Sequence, residues 1–564
     1  MFGTTRRYGK PSLAEKLVRL GARLKQPEWR RYGRLLLAGK AMGVVIVILF
    51  IVVVSGLFFD HVYAQTAAPE VKAADVVNPI NTAWTLIAAF LVFGMQVGFT
   101  MLEAGFCRSR ETVNVLVECV VDTCLCGILF YAFGFAFMFS HGNGFIGYHW
   151  FFLQGVPATY EGTGVAFLAV WIFQFAFADT CSTITSGAMI GRTAFVGDLL
   201  YSIAVSGFIY PIIGHWAWGP DGWLATMGSD GHFFASLGTG FHDFAGSTVV
   251  HTIGGFIALA GAVVLGPRLG RTFKRDGGAP MLPHDLTIAL CGGLLLWFGW
   301  YGFNPGSTLS AMDFDGIGRV ATNTTLAACA AGLTALFWTY RSSKKWDAGF
   351  ITNGFLAGLV AITCPCYWVT PTGSILLGGV AGIIVVLGVE VLEYLRIDDP
   401  IGAVPVHGFC GIWGTISLGL FACGKYGASG PNGPDNSVVV KGLLYGGGTH
   451  VLTAQLIGSA VVTAATFAVA MGVMLAVNAF GLLRVSEEGE LYGLDLHEHG
   501  ISAYPEYVIT ALGSPRGGSH DVHAHDAHSV HSSVHSKTAP ESATSLSHVA
   551  GYPRAMDDGG RMLS

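Results

Sequence analysis

Charged side chains are scarce in this chain. Asp, Glu, Lys and Arg make up 12% of its 564 residues, about half the ~25% of an ordinary soluble domain, which argues against a water-facing globule. Net charge is −5, and without a broad basic surface nucleic acid is not expected as a partner. The eleven cysteines include no CxxC and no CxxCH, so zinc-ribbon spacing and covalent c-type haem attachment are both missing. Cys364 and Cys366 are too close for an ordinary disulfide. Cys107, Cys119, Cys124, Cys126, Cys181 and Cys291 sit in or beside apolar runs, where cysteine acts as a small buried hydrophobe. What is plentiful is apolar: 52% hydrophobic residues and 78 glycines, with a mean hydropathy of +0.55. That composition suits membrane helices, in which small residues let backbones approach closely.

Residues 1–40 are polar and basic, an apolar run from Val44 to Phe59 follows, and a small residue stands at Ala64. This 1–64 extension reads as a long secretory signal cleaved after Ala64, with retention as an anchor as the rival reading. A polar stretch, 65–80, is expected on the periplasmic side. Residues 81–483 form the membrane domain, where eleven apolar segments recur, each long enough to cross ~30 Å of hydrocarbon. They lie near 82–104, 113–140, 164–190, 194–216, 243–266, 284–304, 318–340, 348–366, 372–394, 403–423 and 450–483. Loops after odd-numbered segments carry most of the basic residues, among them Arg108, Arg110, Arg192, Arg268, Arg271 and Arg341. By the positive-inside rule those ends face the cytoplasm. The expected fold class is an all-α polytopic membrane protein of eleven transmembrane helices, N-terminus out and C-terminus in, multi-pass in a cell inner membrane. Residues 484–510 then form a cytoplasmic C-terminal region. The Ser- and His-rich tail, 511–564, is expected to be disordered; such histidine tracts can ligate metal, but no metal site and no cofactor are assigned.

The segments also read as a five-plus-five inverted repeat plus a final helix. Asp243 precedes His251 by eight residues in the fifth segment, and Asp399 precedes His407 by the same spacing at the tenth. Five helices is an odd number, so the second half must be inverted, and inverted repeats place a site between them near the midplane. An ionisable residue inside a membrane helix is a functional candidate by default. The candidates are His251, His407, Asp243, Asp122, Asp179 and Glu118, each weighed against the plainer reading of a polar bridge between helices. Two repeat-related imidazoles suit one task in particular. A bare cation entering hydrocarbon meets a large solvation penalty, which a neutral amine avoids, and ammonium, unlike sodium or potassium, can shed its proton. The aromatic runs at 171–177, 215–219 and 297–303 read either as an interfacial belt or as ring faces that hold a cation for ~1–2 kcal/mol.

Four stretches carry a family resemblance: FHDFAGSTVVHTIGGFIALAGAVVLGPRLGR (241–271), LLWFGWYGFNPGS (295–307), DDPIGAVPVHGFCGIWGT (398–415) and GLDLHEHGISAYP (493–505). Across roughly 80–505 the chain resembles the Amt/Mep/Rh ammonium transporters, nearest the plant and cyanobacterial type. The resemblance implies a transporter rather than an enzyme, with ammonium or ammonia (and methylammonium as an analogue) as passenger, eleven helices around one pore per subunit, and a homotrimer in the lipid bilayer. It implies pore histidines at His251 and His407, gating phenylalanines at Phe177 and Phe303, and ammonium recruitment by Phe177, Trp218 and Ser307. Asp243 would give electrostatic support, and the region after Arg484 would meet a PII-type signalling partner. Three departures stand out. Ile190-Gly191-Arg192 replaces the usual Ala-Glu-Arg, removing an expected partner of Arg192, and Asp179 and Glu118 are unusual carboxylates. Two other readings are an ammonium sensor of the same fold with little flux, and a membrane haem protein using both histidines as ligands.

Overall fold

The computed structural model describes residues 72–427 and 437–504. The chain divides into a unit ending at Asp75, of which residues 72–75 are described, and a second unit from Val76 that holds the helix bundle. The signal or anchor segment 1–64 and the tail 511–564 lie outside the described residues.

Each of the eleven segments expected to span the membrane contains a helix. Ten helices among the described residues are long and apolar enough to cross a membrane: α1 Ala73–Phe106, broken at Gly94, α2 Thr112–Phe139, α3 Phe167–Gly187, α4 Phe195–Trp218, α5 Ser247–Leu265, α6 Leu286–Thr308, α7 Phe314–Ser343, α9 Pro371–Leu395, α10 Val404–Phe421 and α11 His450–Ala479. Between α7 and α9 lies a shorter apolar helix, α8 Ala348–Thr363. Its 16 residues rise only ~24 Å. Pro365 has no N–H to continue the ladder of helical hydrogen bonds, so the segment expected to reach 366 stops at Thr363, although Cys364 keeps helical dihedrals. Two short helices, α12 Glu487–Tyr492 and α13 Leu494–Glu498, follow the bundle. At the opposite end a two-stranded ribbon pairs Gly142 with Gly147 and Asn143 with Ile146.

The stretch 65–80, expected to be a polar lead-in, is helical from Ala73 onward. Just beyond it, the buried Asn81 finds partners that a hydropathy reading cannot foresee: it donates to the Thr163 carbonyl at 3.3 Å and accepts from the Ala311 N–H at 3.0 Å. Eight of the eleven cysteines are buried.

The two helices carrying the histidines are built alike. Before α5, the Asp243 carboxylate accepts the N–H groups of Gly246, Thr248 and Val249 at 3.1, 2.9 and 2.9 Å. Before α10, the Asp399 carboxylate accepts those of Gly402, Ala403 and Val404 at 3.0, 3.1 and 2.8 Å. Each cap satisfies donors that a helix start leaves free. In each case a glycine at positive φ, Gly246 at 109° or Gly402 at 81°, turns the chain into the helix, where a Cβ would be strained. Each helix then opens with a π-helical turn, Ser247–Thr252 or Val404–Phe409, a widened geometry common at functional positions. Where the two helices cross, a Cβ on Gly255 would stand 2.3 Å from the Gly408 nitrogen, so the backbones meet directly.

The arginine-rich end is held by buried ion pairs. Arg268 grips Asp398 through Nε at 2.8 Å and Nη2 at 2.9 Å, Arg271 pairs with Glu393, and Arg108 with Glu111. Burial alone would raise the Asp398 carboxyl, but the Arg268 guanidinium holds it well below its ordinary value. Arg192, expected to lose a partner with the missing glutamate, instead donates to the carbonyls of Gly266 (3.0 Å), Ile190 (3.2 Å) and Asp398 (2.6 Å). Burial draws this guanidinium down to about 10, and the three carbonyls replace the carboxylate. The segment after α11 packs on the same end: Arg484 pairs with Glu490 at 2.8 Å, and Glu490 accepts the Leu269 N–H at 2.5 Å.

Candidate functional site

His251 and His407 face each other across the crossing of α5 and α10. Their Nδ1 atoms are 3.2 Å apart. A contact that short needs one donor and one acceptor, so a single proton sits between the two rings. The ring that holds it keeps a bare Nε2, and the other must carry its hydrogen on Nε2. His251 is fully buried and its Nε2 has no protein partner. Two rings hydrogen-bonded to each other leave no room for a haem between them, so the haem reading falls on geometry.

Above the histidines stand the phenylalanines. Phe177 of α3 and Phe303 of α6 stack with centroids 4.0 Å apart, and both are buried. Phe303 lies 5.4 Å from the His251 ring, and Trp300 stacks on the same imidazole at 5.2 Å. Trp300 is held by its indole N–H on the Thr363 hydroxyl at 3.0 Å. The aromatic run that reads in sequence as belt or cage therefore supplies two rings to the site, and Trp300 is the one not singled out beforehand; its spacing of three residues from Phe303 was the available signal.

Trp218 meets Phe177 edge-on at 6.1 Å, and its indole N–H donates to the Asp243 carbonyl at 2.7 Å. The Ser307 hydroxyl donates to the Phe303 carbonyl at 2.8 Å, which leaves its lone pairs as acceptors. Asp243 thus touches the site twice through structure, capping α5 with its carboxylate and holding Trp218 with its carbonyl. The residues from α3, α4, α5, α6 and α10 form a single column, from Trp218 and Ser307 through the Phe177–Phe303 stack to His251 and His407. Asp179 does not join it. It turns toward Gln96 and Thr123, and Glu118 and Asp122 lie on α2, a helix that gives no residue to the column.

A polytopic helical membrane protein with a buried imidazole pair under an aromatic stack is the class that fold and site define. A profile of the Ammonium Transporter Family matches residues 83–504. The chain is 41% identical over 483 residues to the ammonium transporter Amt2 of Archaeoglobus fulgidus, covering 85% of this chain and 98% of that one. It is 41% identical over 420 residues to ammonium transporter 1 member 1 of Arabidopsis thaliana, covering 72% and 81%. Among solved structures, one named Sensor Amt Protein aligns with a TM-score of 0.67 at 35% identity, covering 75% of this chain and 99% of that one. Saccharomyces cerevisiae Mep2 aligns at 0.64 and 27%, covering 74% and 92%. The chain belongs to the ammonium transporter family.

Proposed function

We propose that the protein carries ammonium across a cell inner membrane, passing it as ammonia through the column between α5 and α10. The observation that carries this reading is the His251–His407 hydrogen bond lying under the Phe177–Phe303 stack. At the mouth, the Ser307 lone pairs accept an ammonium N–H while the Trp218 and Phe177 rings attract the charge, together ~1–2 kcal/mol. Beyond the stacked rings there is no counter-charge, so the passenger leaves its proton behind. Ammonia then meets an imidazole pair offering one bare nitrogen and one N–H, which suits a molecule that both donates and accepts. Sodium and potassium, having no proton to lose, are refused.

The same reading counts α8 as a span, giving eleven helices in an inverted five-plus-five repeat and a last helix. It sets the arginine-rich end in the cytoplasm and assembles three copies. Residues 484–504, packed on that end, would then be the surface offered to a PII-type partner.

Uptake of labelled methylammonium by cells without their own transporters tests the reading. Replacing both His251 and His407 by Ala is expected to cut uptake at least about tenfold, the effect of ~1.4 kcal/mol of barrier; unchanged uptake rejects the column as the path. A sensor with little flux would bind ammonium and show no uptake in the unaltered protein.

A further inference from the structure

Outside the histidine column, α2 and α4 each bear a polar stripe at four-residue spacing. On α2 it runs Asn114, Glu118, Asp122, Cys126; on α4 it runs Asp198, Ser202, Ser206, Tyr210. Residues four apart share one helix face, and both helices start at the arginine-rich end, so the stripes run parallel. They also pair in order. Glu118 adjoins Asp198 and accepts the Tyr201 hydroxyl at 3.4 Å; Ser202 adjoins Asp122, and Ser206 adjoins Cys126. Each stripe spans twelve residue steps, about 18 Å of rise. Neighbouring helices add Asp179, with Gln96 and Thr123 beside it, and Glu103, whose carboxylate accepts from Ser186 at 3.3 Å.

Both ends of this seam are tied to the ends of the molecule. At the arginine-rich end, Asn114 donates to Glu118 at 3.3 Å while its carbonyl oxygen meets His499 at 3.0 Å and its N–H meets Asp495 at 3.0 Å. At the other end, the buried Tyr210 hydroxyl lies in electrostatic range of Cys181, Cys126 and Asp243. The four helices α1 to α4 contain no lysine or arginine to neutralise five buried carboxyl groups. The carboxylate oxygens of Asp122, Asp179 and Asp198 and the hydroxyls of Ser202 and Tyr210 are buried without a protein hydrogen-bond partner. Groups so placed must be protonated or hydrated. A seam of hydroxyls and carboxyls that hold protons and water is the composition of a proton relay. A metal site is the other use for clustered carboxylates, but among the described residues no three of His, Cys, Asp and Glu converge on one.

We propose that the α2–α4 seam is a proton path running beside the histidine column, from the Asp243 end to the Asn114–His499 end. It rests on the transport reading above. When an ammonium N–H bond breaks at the aromatic mouth, the electron pair stays on nitrogen and the ammonia enters the column. The proton passes by way of Tyr210 to Asp179 and Asp122, then to Asp198 and Glu118, and leaves to water beside His499. Ammonia takes up a proton from water on that side, so each ammonium delivered carries one charge.

The test uses the full-length protein in liposomes. An ammonium jump is followed by current, and ammonia entry by internal alkalinisation, for Asp122→Asn and Asp198→Asn. Each variant is expected to lose current at least about tenfold and to alkalinise the interior more than the unaltered protein does, because ammonia then arrives without the proton that accompanies it in the unaltered protein. Wild-type currents in both variants overturn the proposal. Glu118→Gln and Ser202→Ala serve if either Asn variant fails to fold, with the same two outcomes. A second readout needs no ammonium: infrared spectra after mixing with deuterium oxide. Rapid exchange at the carboxyl bands that Asp122→Asn and Asp198→Asn remove supports the seam, and bands that stay protonated for hours mark it as a sealed polar core and overturn it. Exchange in a protein that moves no ammonium in liposomes overturns the transport reading and the coupling, and not the seam's conductivity.

Discussion

At the scale of single residues, the site works through which atoms are already committed. Trp218 spends its N–H on the Asp243 carbonyl and Ser307 its O–H on the Phe303 carbonyl, so what remains free at the proposed mouth is acceptor lone pairs and ring faces. Trp218→Leu should therefore raise the half-saturating methylammonium concentration about five- to thirtyfold at a similar maximal rate, the loss of ~1–2 kcal/mol of cation–π attraction; concentration-dependent uptake checks it. At the arginine-rich end, Asp398 is buried against Arg268. Asp398→Asn leaves that guanidinium without its charge partner, at a cost of about 3–5 kcal/mol, read as a lower melting temperature in detergent. Its pH dependence has a definite sign. The folded carboxyl is held below the unfolded value of ~3.9, so the pair's contribution is whole above that pH and fades as pH falls through the folded-state value. Melting curves of the unaltered protein and the Asn variant should approach each other only in strong acid.

At the scale of elements, the helices could be read from hydropathy, and their ends were misplaced where local chemistry intervened. Pro365 shortens α8, and α1 begins at Ala73, ahead of the expected start near 82. The Asp-to-His spacing pointed to two equivalent helices because it is written in one stretch of chain each. The matching caps and π-helical turns needed backbone geometry. The polar stripes were half visible: Glu118, Asp122 and Asp179 stood out as intramembrane carboxylates, while Asp198 in the run FVGDLLY offered the same signal and was passed over. Pairing of α2 with α4 is a tertiary fact that one sequence does not encode locally. The crossing of α5 and α10 gives a sharp prediction. Gly255→Ala must push the Gly408 backbone away and with it His407 from His251. A displacement of about 1 Å at a reacting pair can cost on the order of a hundredfold, so uptake should collapse while surface expression persists.

At the scale of the whole molecule, most of the arginines and their buried ion pairs collect at one end and the aromatic mouth lies at the other. If the arginine-rich end is cytoplasmic, reporter fusions at Asp276 should be active as fluorescent protein, and fusions at Glu161 as a periplasmic phosphatase. The opposite pattern would reverse the direction assigned to the column and the seam. Family membership was legible from long continuous stretches such as 241–271 and 398–415, which hold backbone turns, caps and histidines together. The fate of Arg192 was not legible, because its replacement partners are main-chain carbonyls contributed from residues 74 and 206 positions away.

The hydroxyl of Ser307 has one more consequence. With its hydrogen and that of the Trp218 indole both turned inward to carbonyls, the entrance presents lone pairs and ring faces. Chloride or nitrate arriving there would find the negative side of every dipole. On the proposed path, anions would be turned back at the threshold by the way two hydrogens point, before any barrier inside has to act.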